Sequence, residues 1–189
     1  MMKEVYKGKQ VLITGGLGFI GSSLALKLVE AGADVTLVDA MIPDYGGNLF
    51  NIDTIKERVT VNFSNITDVS SMNYLVREKD YIFHCAGQVC HIMSLSDPFP
   101  DIEYNIKGTA ILMEACKKNN QKVKVVKTGT RGQYGPAISL PVSEDAPTNP
   151  KGIYEISNLT AEKIMKVYND IHGIKTVLLR LTNIYGPRS

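Results

Sequence analysis

The sequence predicts an α/β protein: a doubly wound parallel sheet in three layers, with helices on both faces. Three observations carry that expectation. Short apolar runs alternate with longer amphipathic segments along the chain. A glycine-rich turn, Thr14-Gly15-Gly16-Leu17-Gly18-Phe19-Ile20-Gly21, joins the first run to the first amphipathic segment. The second run, Val35-Thr36-Leu37-Val38, ends at an acid, Asp39, eighteen residues beyond Gly21.

Each element follows in order. Gln10–Thr14 reads as the first strand and Gly18–Ala31 as the first helix. Between them, Gly16, Gly18 and Gly21 fit G-x-G-x-x-G, and Gly15, Gly18 and Gly21 fit the variant G-x-x-G-x-x-G. Glycines there let the backbone turn tightly and approach a pyrophosphate, and the helix start offers unpaired N–H groups and a positive dipole end. Asp34–Val38 is the second strand, and Asp39 beyond it can accept hydrogen bonds from ribose hydroxyls. Strands are further expected at Val59–Phe63, Tyr81–His84, Val123–Thr128 and Thr176–Leu181, and helices at Val69–Glu78, Pro100–Asn119 and Gly152–His172. Two long loops, Ala40–Asn51 and Gly129–Lys151, leave strands at the edge where such sheets bind ligands.

Composition narrows the function classes. The 189 residues suit one dinucleotide-binding domain, residues 1–189. Net charge is +2 with both signs interspersed, which argues against nucleic acid. No apolar run reaches the roughly 18 residues of a membrane span, and the stretch from Met1 to Lys7 lacks the apolar core of a signal peptide. Three cysteines, Cys85, Cys90 and Cys116, form no CxxC pair, so a reducing cytoplasm is expected. His84-Cys85 and Cys90-His91 mirror a metal constellation, but adjacent strand residues point to opposite faces, so no metal is expected.

Further segments converge on a family: Asn65-Ile66-Thr67-Asp68, His84-Cys85-Ala86-Gly87, Asn105-Ile106-Lys107-Gly108-Thr109, Thr128-Gly129-Thr130 with Tyr134-Gly135, Tyr154, and the run from Arg180 to Arg188. With the glycine turn and Asp39, these make the chain resemble the extended short-chain dehydrogenase/reductases. Within them it is similar to the NAD-dependent nucleotide-sugar epimerase/dehydratase group, of the UDP-glucose 4-epimerase kind. The resemblance implies a Rossmann fold binding NAD. Gly15, Gly18, Phe19, Ile20 and Gly21 would hold the pyrophosphate and Asp39 the adenosine ribose. Asn65 and Ile66 would meet the adenine, with Asn standing where the family has an acid. Ala86, Gly87, Gln88, Thr128 and Tyr154 would line the cofactor, Asn183 would touch the nucleotide-sugar, and Asn105 would be a buried hydrogen-bonder. No Arg follows Asp39 to meet a 2′-phosphate, which favours NAD over NADP.

The family oxidises a sugar alcohol, and the resemblance assigns Tyr154 as base and Thr130 as the hydroxyl hydrogen-bonding the same oxygen. The family's lysine, four residues after the tyrosine, is here Asn158. A phenol titrates near pH ~10, so about one in a thousand is ionised at pH 7. Losing the whole cationic shift would cost on the order of 4 kcal/mol. Dehydratases carry acids just after the hydroxyl residue, where this chain has Arg131-Gly132-Gln133. Simple redox is therefore expected: a UDP-sugar epimerase, impaired by Asn158. The alternatives are a 4-ketoreductase or dehydratase, or an NAD-binding module without turnover. The resemblance further implies a homodimer and a C-terminal substrate domain, largely missing here, which is a second expected source of impairment.

Overall fold

A computed structural model describes residues 2–188. Six strands, β1 (Gln10–Thr14), β2 (Asp34–Val38), β3 (Val59–Asn62), β4 (Tyr81–His84), β5 (Lys124–Thr130) and β6 (Lys175–Leu181), form one sheet in the order β3-β2-β1-β4-β5-β6. Every pairing is parallel. Leu12 lies beside Thr36 of β2 and Ile82 of β4, so the order reverses at β1. Ligand crevices of such sheets open at that reversal.

Both faces of the sheet are covered. Val11 and Ile13 pack on one side with Leu28 and Val29 of helix α2 (Phe19–Glu30). Leu12, Ile82 and Val125 pack on the other, with Leu112 of α5 (Gly108–Asn119) and Met165 of α6 (Ile153–His172). Alternate side chains point to opposite faces, and both are buried, which is why the strands read as continuous apolar runs. Shorter helices are α1 (Met2–Tyr6), α3 (Val69–Leu75) and α4 (His91–Ser96). The Asp68 carboxylate caps α3 by accepting from the Ser70 and Ser71 amides. Among the described residues, no helix is long and apolar enough to cross a membrane.

Several expected bounds shift. The third strand stops at Asn62, leaving Phe63 exposed. Helix α3 ends at Leu75 instead of Glu78, and Glu78 reverses the chain at φ 59°. The fifth strand extends to Thr130, which pairs with Leu181 of β6. Leu49–Arg58, partly assigned to a loop, is a 3-10 helix that buries Ile52 and Ile55, three residues apart as that helix repeats. The expected helix over Pro100–Asn119 opens into a π-helical stretch, Asp101–Lys107, before α5. That widening brings Asp101 and Asn105 inward, and both are buried.

Candidate active site

The turn after β1 is shaped by close approach. Gly15 sits at φ 66°, and a Cβ there would lie 2.7 Å from the Ala86 nitrogen beyond β4. A side chain on Gly21 would run into the Gly15 carbonyl. Gly18 differs. Its φ of −76° and ψ of 176° suit any residue, and the nearest atom to an added Cβ is 3.5 Å away. Neither backbone nor packing calls for glycine at 18. Asp39 stands at the end of β2. Its Oδ2 accepts from the Leu17 amide at 3.0 Å and its Oδ1 from the Met41 amide at 2.9 Å.

These residues line a cavity of about 290 Å³ that also takes in Phe19, Ile20, Asn65, Ile66, Ala86 and Gly87. The expected cofactor residues are thus gathered at the sheet's switch point, with three exceptions. Gln88, Thr128 and Tyr154 line the neighbouring cavity. Gln88 is buried with its amide engaged: Nε2 donates to the Cys90 carbonyl and Ser94 Oγ, and Oε1 accepts from the Cys90 amide. It shapes the loop after β4. Asn65 Oδ1 accepts from the Thr67 amide and hydroxyl, so Nδ2 is what it has left for a ligand.

The neighbouring cavity, about 670 Å³, is lined by Thr130, Tyr154, Asn158 and Asn183. It shares Ile20, Cys85, Ala86, Gly87 and Val89 with the first, so the two adjoin. Thr130 ends β5 and accepts from the Gly132 amide at 3.1 Å, while its own amide donates to Gln133 Oε1 at 3.2 Å. Gln133 Nε2 in turn donates to Glu162 Oε2 at 2.6 Å, and Arg180 grips both oxygens of Glu162, at 2.9 and 2.5 Å. Burial opposes ionisation of Glu162, but Arg180 and Gln133 outweigh it and hold the carboxyl below its usual range. This chain of bonds ties β6 and α6 to the Thr130 turn.

Tyr154 lies in the first turn of α6 and lines the same cavity as Thr130. Burial pushes its phenol above the ordinary 10.0. The neighbouring Thr130 side chain pulls the other way, and the charges of Glu155 and Asp101 add to the rise. Asn158 is buried, and its Nδ2 donates to the Tyr154 carbonyl at 3.0 Å. It is folded back on its own helix and supplies no charge. Beneath lies a polar network: Asn105 Nδ2 donates to Ser157 Oγ at 3.0 Å and Oδ1 accepts from the Gln88 amide at 2.9 Å, while Asp101 accepts from Ser94 Oγ at 2.6 Å. His84 is clamped between Thr14 Oγ1 and Thr109 Oγ1, at 2.8 and 2.9 Å.

Three groups in this cleft escaped the sequence reading. Lys127 of β5 is buried, and among the described residues no carboxylate pairs with it; burial lowers its pKa to about 8. His91 Nδ1 lies 2.7 Å from Glu155 Oε1, beside Tyr154. Arg131-Gly132-Gln133, where the resemblance places the dehydratases' acids, holds no carboxylate. Glu155 arrives from α6 instead: a Cβ on Gly132 would sit 2.6 Å from Glu155 Cγ and 3.4 Å from Thr130 Oγ1. The carboxylate's sequence adjacency to Tyr154 was the available signal.

The fold and the glycine turn define a dinucleotide-binding α/β protein with a second, adjoining cleft. The NAD dependent epimerase/dehydratase family matches residues 11–189, and the chain belongs to that family, whose cofactor is NAD. A putative UDP-glucose 4-epimerase of Methanocaldococcus jannaschii is 32% identical over 94% of this chain and 57% of its own length. Among solved structures, UDP-N-acetylglucosamine 4-epimerase from Methanobrevibacter ruminantium, in complex with UDP-N-acetylmuramic acid, superposes with a TM-score of 0.89 at 30% identity. That match covers 96% of this chain and 57% of the other. The Thermus thermophilus UDP-glucose 4-epimerase complex with NAD gives 0.85 at 33% identity, over 95% and 57%. The chain thus spans a little over half the length of these relatives.

Proposed function

We propose that this chain binds NAD in the smaller cavity and a UDP-sugar in the larger one, and that a sugar hydroxyl is transiently oxidised where the two meet. The observation that carries the reading is that Tyr154 and Thr130 line one cleft, which adjoins the glycine cradle. Gly15, Gly18 and Gly21 let the backbone approach the diphosphate, the amides of Phe19 and Ile20 meet it, and Asp39 takes the ribose hydroxyls. Asn65 and Ile66 flank the adenine, and Ala86, Gly87 and Thr128 line the path to the reacting carbon. When bound, NAD supplies the hydride acceptor.

Tyr154 takes the hydroxyl proton, and Thr130 donates to the same oxygen. Asn183 contacts the nucleotide-sugar from the far wall. Epimerisation needs nothing more than hydride out, rotation of the ketone and hydride back. With no cation at 158 the phenol stays protonated at neutral pH, so turnover is slow. Helix α6 exposes Ile156, Val167 and Ile171 along one stripe, which supports pairing with a second copy through this helix.

Calorimetric titration with NAD, then with UDP-glucose, followed by NADH formation, tests the reading. Binding of both ligands with slow NADH formation is expected. Binding of NAD alone would establish the module without turnover, and no NAD binding would overturn the reading.

A further inference from the structure

The smaller cavity is almost without charge. Of the side chains that line it, Asp39 is the one acid and Arg188 the one cation. Asp39 is already committed to the Leu17 and Met41 amides. Arg188 belongs to the segment after β6, which folds back over the start of α2. Gly186 lies against the Phe19 ring, where an added Cβ would be 3.5 Å from Cζ. Arg188 Nη2 donates to Ser23 Oγ at 3.0 Å, and Ser23 Oγ donates to the Phe19 carbonyl at 2.7 Å. The guanidinium is thus tied to the turn of α2 that lines the cavity. That single bond leaves most of its N–H donors unengaged, and among the described residues no carboxylate pairs with it. Arg188 also sits at φ 75°, in the left-handed region that residues other than glycine seldom occupy. Such strain persists where the surroundings hold it, and it gathers at ligand clamps.

We infer that Arg188 is a diphosphate clamp: its guanidinium closes over the glycine cradle and donates charge-assisted hydrogen bonds to the phosphate oxygens of the bound dinucleotide. The inference rests on the reading of the smaller cavity as the NAD site. A diphosphate is a dianion. The glycine turn and the start of α2 answer it with backbone amides and a partial dipole charge alone. Among the described residues, no Lys, His or second Arg lines this cavity to complete the neutralisation. A guanidinium is planar and can meet two phosphate oxygens at once, which an ammonium does not. Its place beside Ser23 puts it at the phosphates and away from the adenosine ribose. The ribose end belongs to Asp39, just beyond β2, where a carboxylate repels a 2′-phosphate. Arg188 touches the ligand, and Ser23 positions Arg188. The cofactor site thereby draws on the segment after the last strand as well as on the turn after the first.

Calorimetric titrations of the full chain with NAD, ADP and NADP, and an NMR titration with adenosine, test the clamp in wild type, Arg188→Met and Arg188→Lys. Arg188→Met should weaken NAD and ADP by the same factor, about 10- to 100-fold, the usual range for a hydrogen bond to a charged group, and leave adenosine unchanged. Arg188→Lys should fall between the two, keeping the charge and losing the fork. Added salt should weaken NAD binding more in wild type than in Arg188→Met. Arg188 is exposed, so urea midpoints should coincide in the three chains, which separates a lost contact from a lost fold. Equal NAD affinity in wild type and Arg188→Met overturns the inference, and so does an equal loss for adenosine. A preference for NADP that disappears in Arg188→Met would place the arginine at the ribose and overturn it as well. Those three results leave the cofactor reading standing, whereas no NAD binding by wild type strikes both.

Discussion

Asn158 donates its side-chain amide to the carbonyl of Tyr154, one turn earlier on α6, at 3.0 Å. The residue placed to charge the cleft is instead bonded to its own backbone. Polar side chains bonding back four residues are a recurring local alternative to longer-range contacts. The Tyr154 phenol is left with burial as the main influence on its titration.

Asn158→Lys should therefore speed NADH formation from UDP-glucose by at least about tenfold at pH 7, since an adjacent cation favours the phenolate. The pH profile separates this from a packing effect. A phenol raised above 10.0 gives a wild-type rate still climbing at the alkaline end. The variant should level off at lower pH. Superimposable profiles would count against Tyr154 as the base.

The glycine turn makes two distinct predictions. Gly18→Ala has room for its methyl and should change stability by less than about 1 kcal/mol, while NAD affinity is lost in calorimetry. Gly21→Ala drives a methyl into the Gly15 carbonyl and should cost about 3 kcal/mol or prevent folding. Urea midpoints paired with NAD titrations check both. Full NAD affinity in Gly18→Ala would remove the diphosphate assignment.

Lys127 weakens the fold at neutral pH. A depression from 10.5 to about 8 corresponds to on the order of 3 kcal/mol. The folded chain holds fewer protons than the unfolded chain between those two values, so stability should rise with pH across that window and carry the full penalty below it. Lys127→Met should be more stable than wild type at pH 7, with the gap narrowing at pH 9.5. Urea midpoints at the two pH values decide; a constant gap would argue that Lys127 is paired.

Arg180 and Glu162 are mostly buried and joined by two bonds. Removing one partner of such a pair strands the other charge. Arg180→Met should cost about 3 kcal/mol in thermal or urea unfolding, and the double variant Arg180→Met, Glu162→Met should recover much of it. If the double variant is no better than the single one, the loss lies in packing.

The sheet was legible because its strands are buried on both faces, so periodicity and burial agree in runs such as Val11-Leu12-Ile13. The glycine turn and Asp39 were legible because their roles are local. Leu49–Arg58 was not: its buried residues, Ile52 and Ile55, are three apart, a spacing that a 3-10 helix shares with an α-helix. In the π-helical stretch Asp101–Lys107 the apolar residues Ile102, Tyr104 and Ile106 alternate with polar ones while the buried residues are Asp101 and Asn105, so hydrophobic periodicity does not reveal it. Glu155 and His91 meet only because α4 packs on the start of α6, a relationship between residues 64 positions apart. Lys127 reads as polar and proves buried, a case where tertiary placement overrides residue type.

The vacancy beside Gly18 makes that codon a recorder of natural selection. Any descendant that still folds must keep its glycine at 21, whatever work it performs. At 18 the architecture imposes no such demand, so a lineage that abandoned its dinucleotide would drift freely there. Deep mutational libraries grown with and without a requirement for catalysis would expose the contrast between the two positions, and tell a working enzyme from a folded remnant.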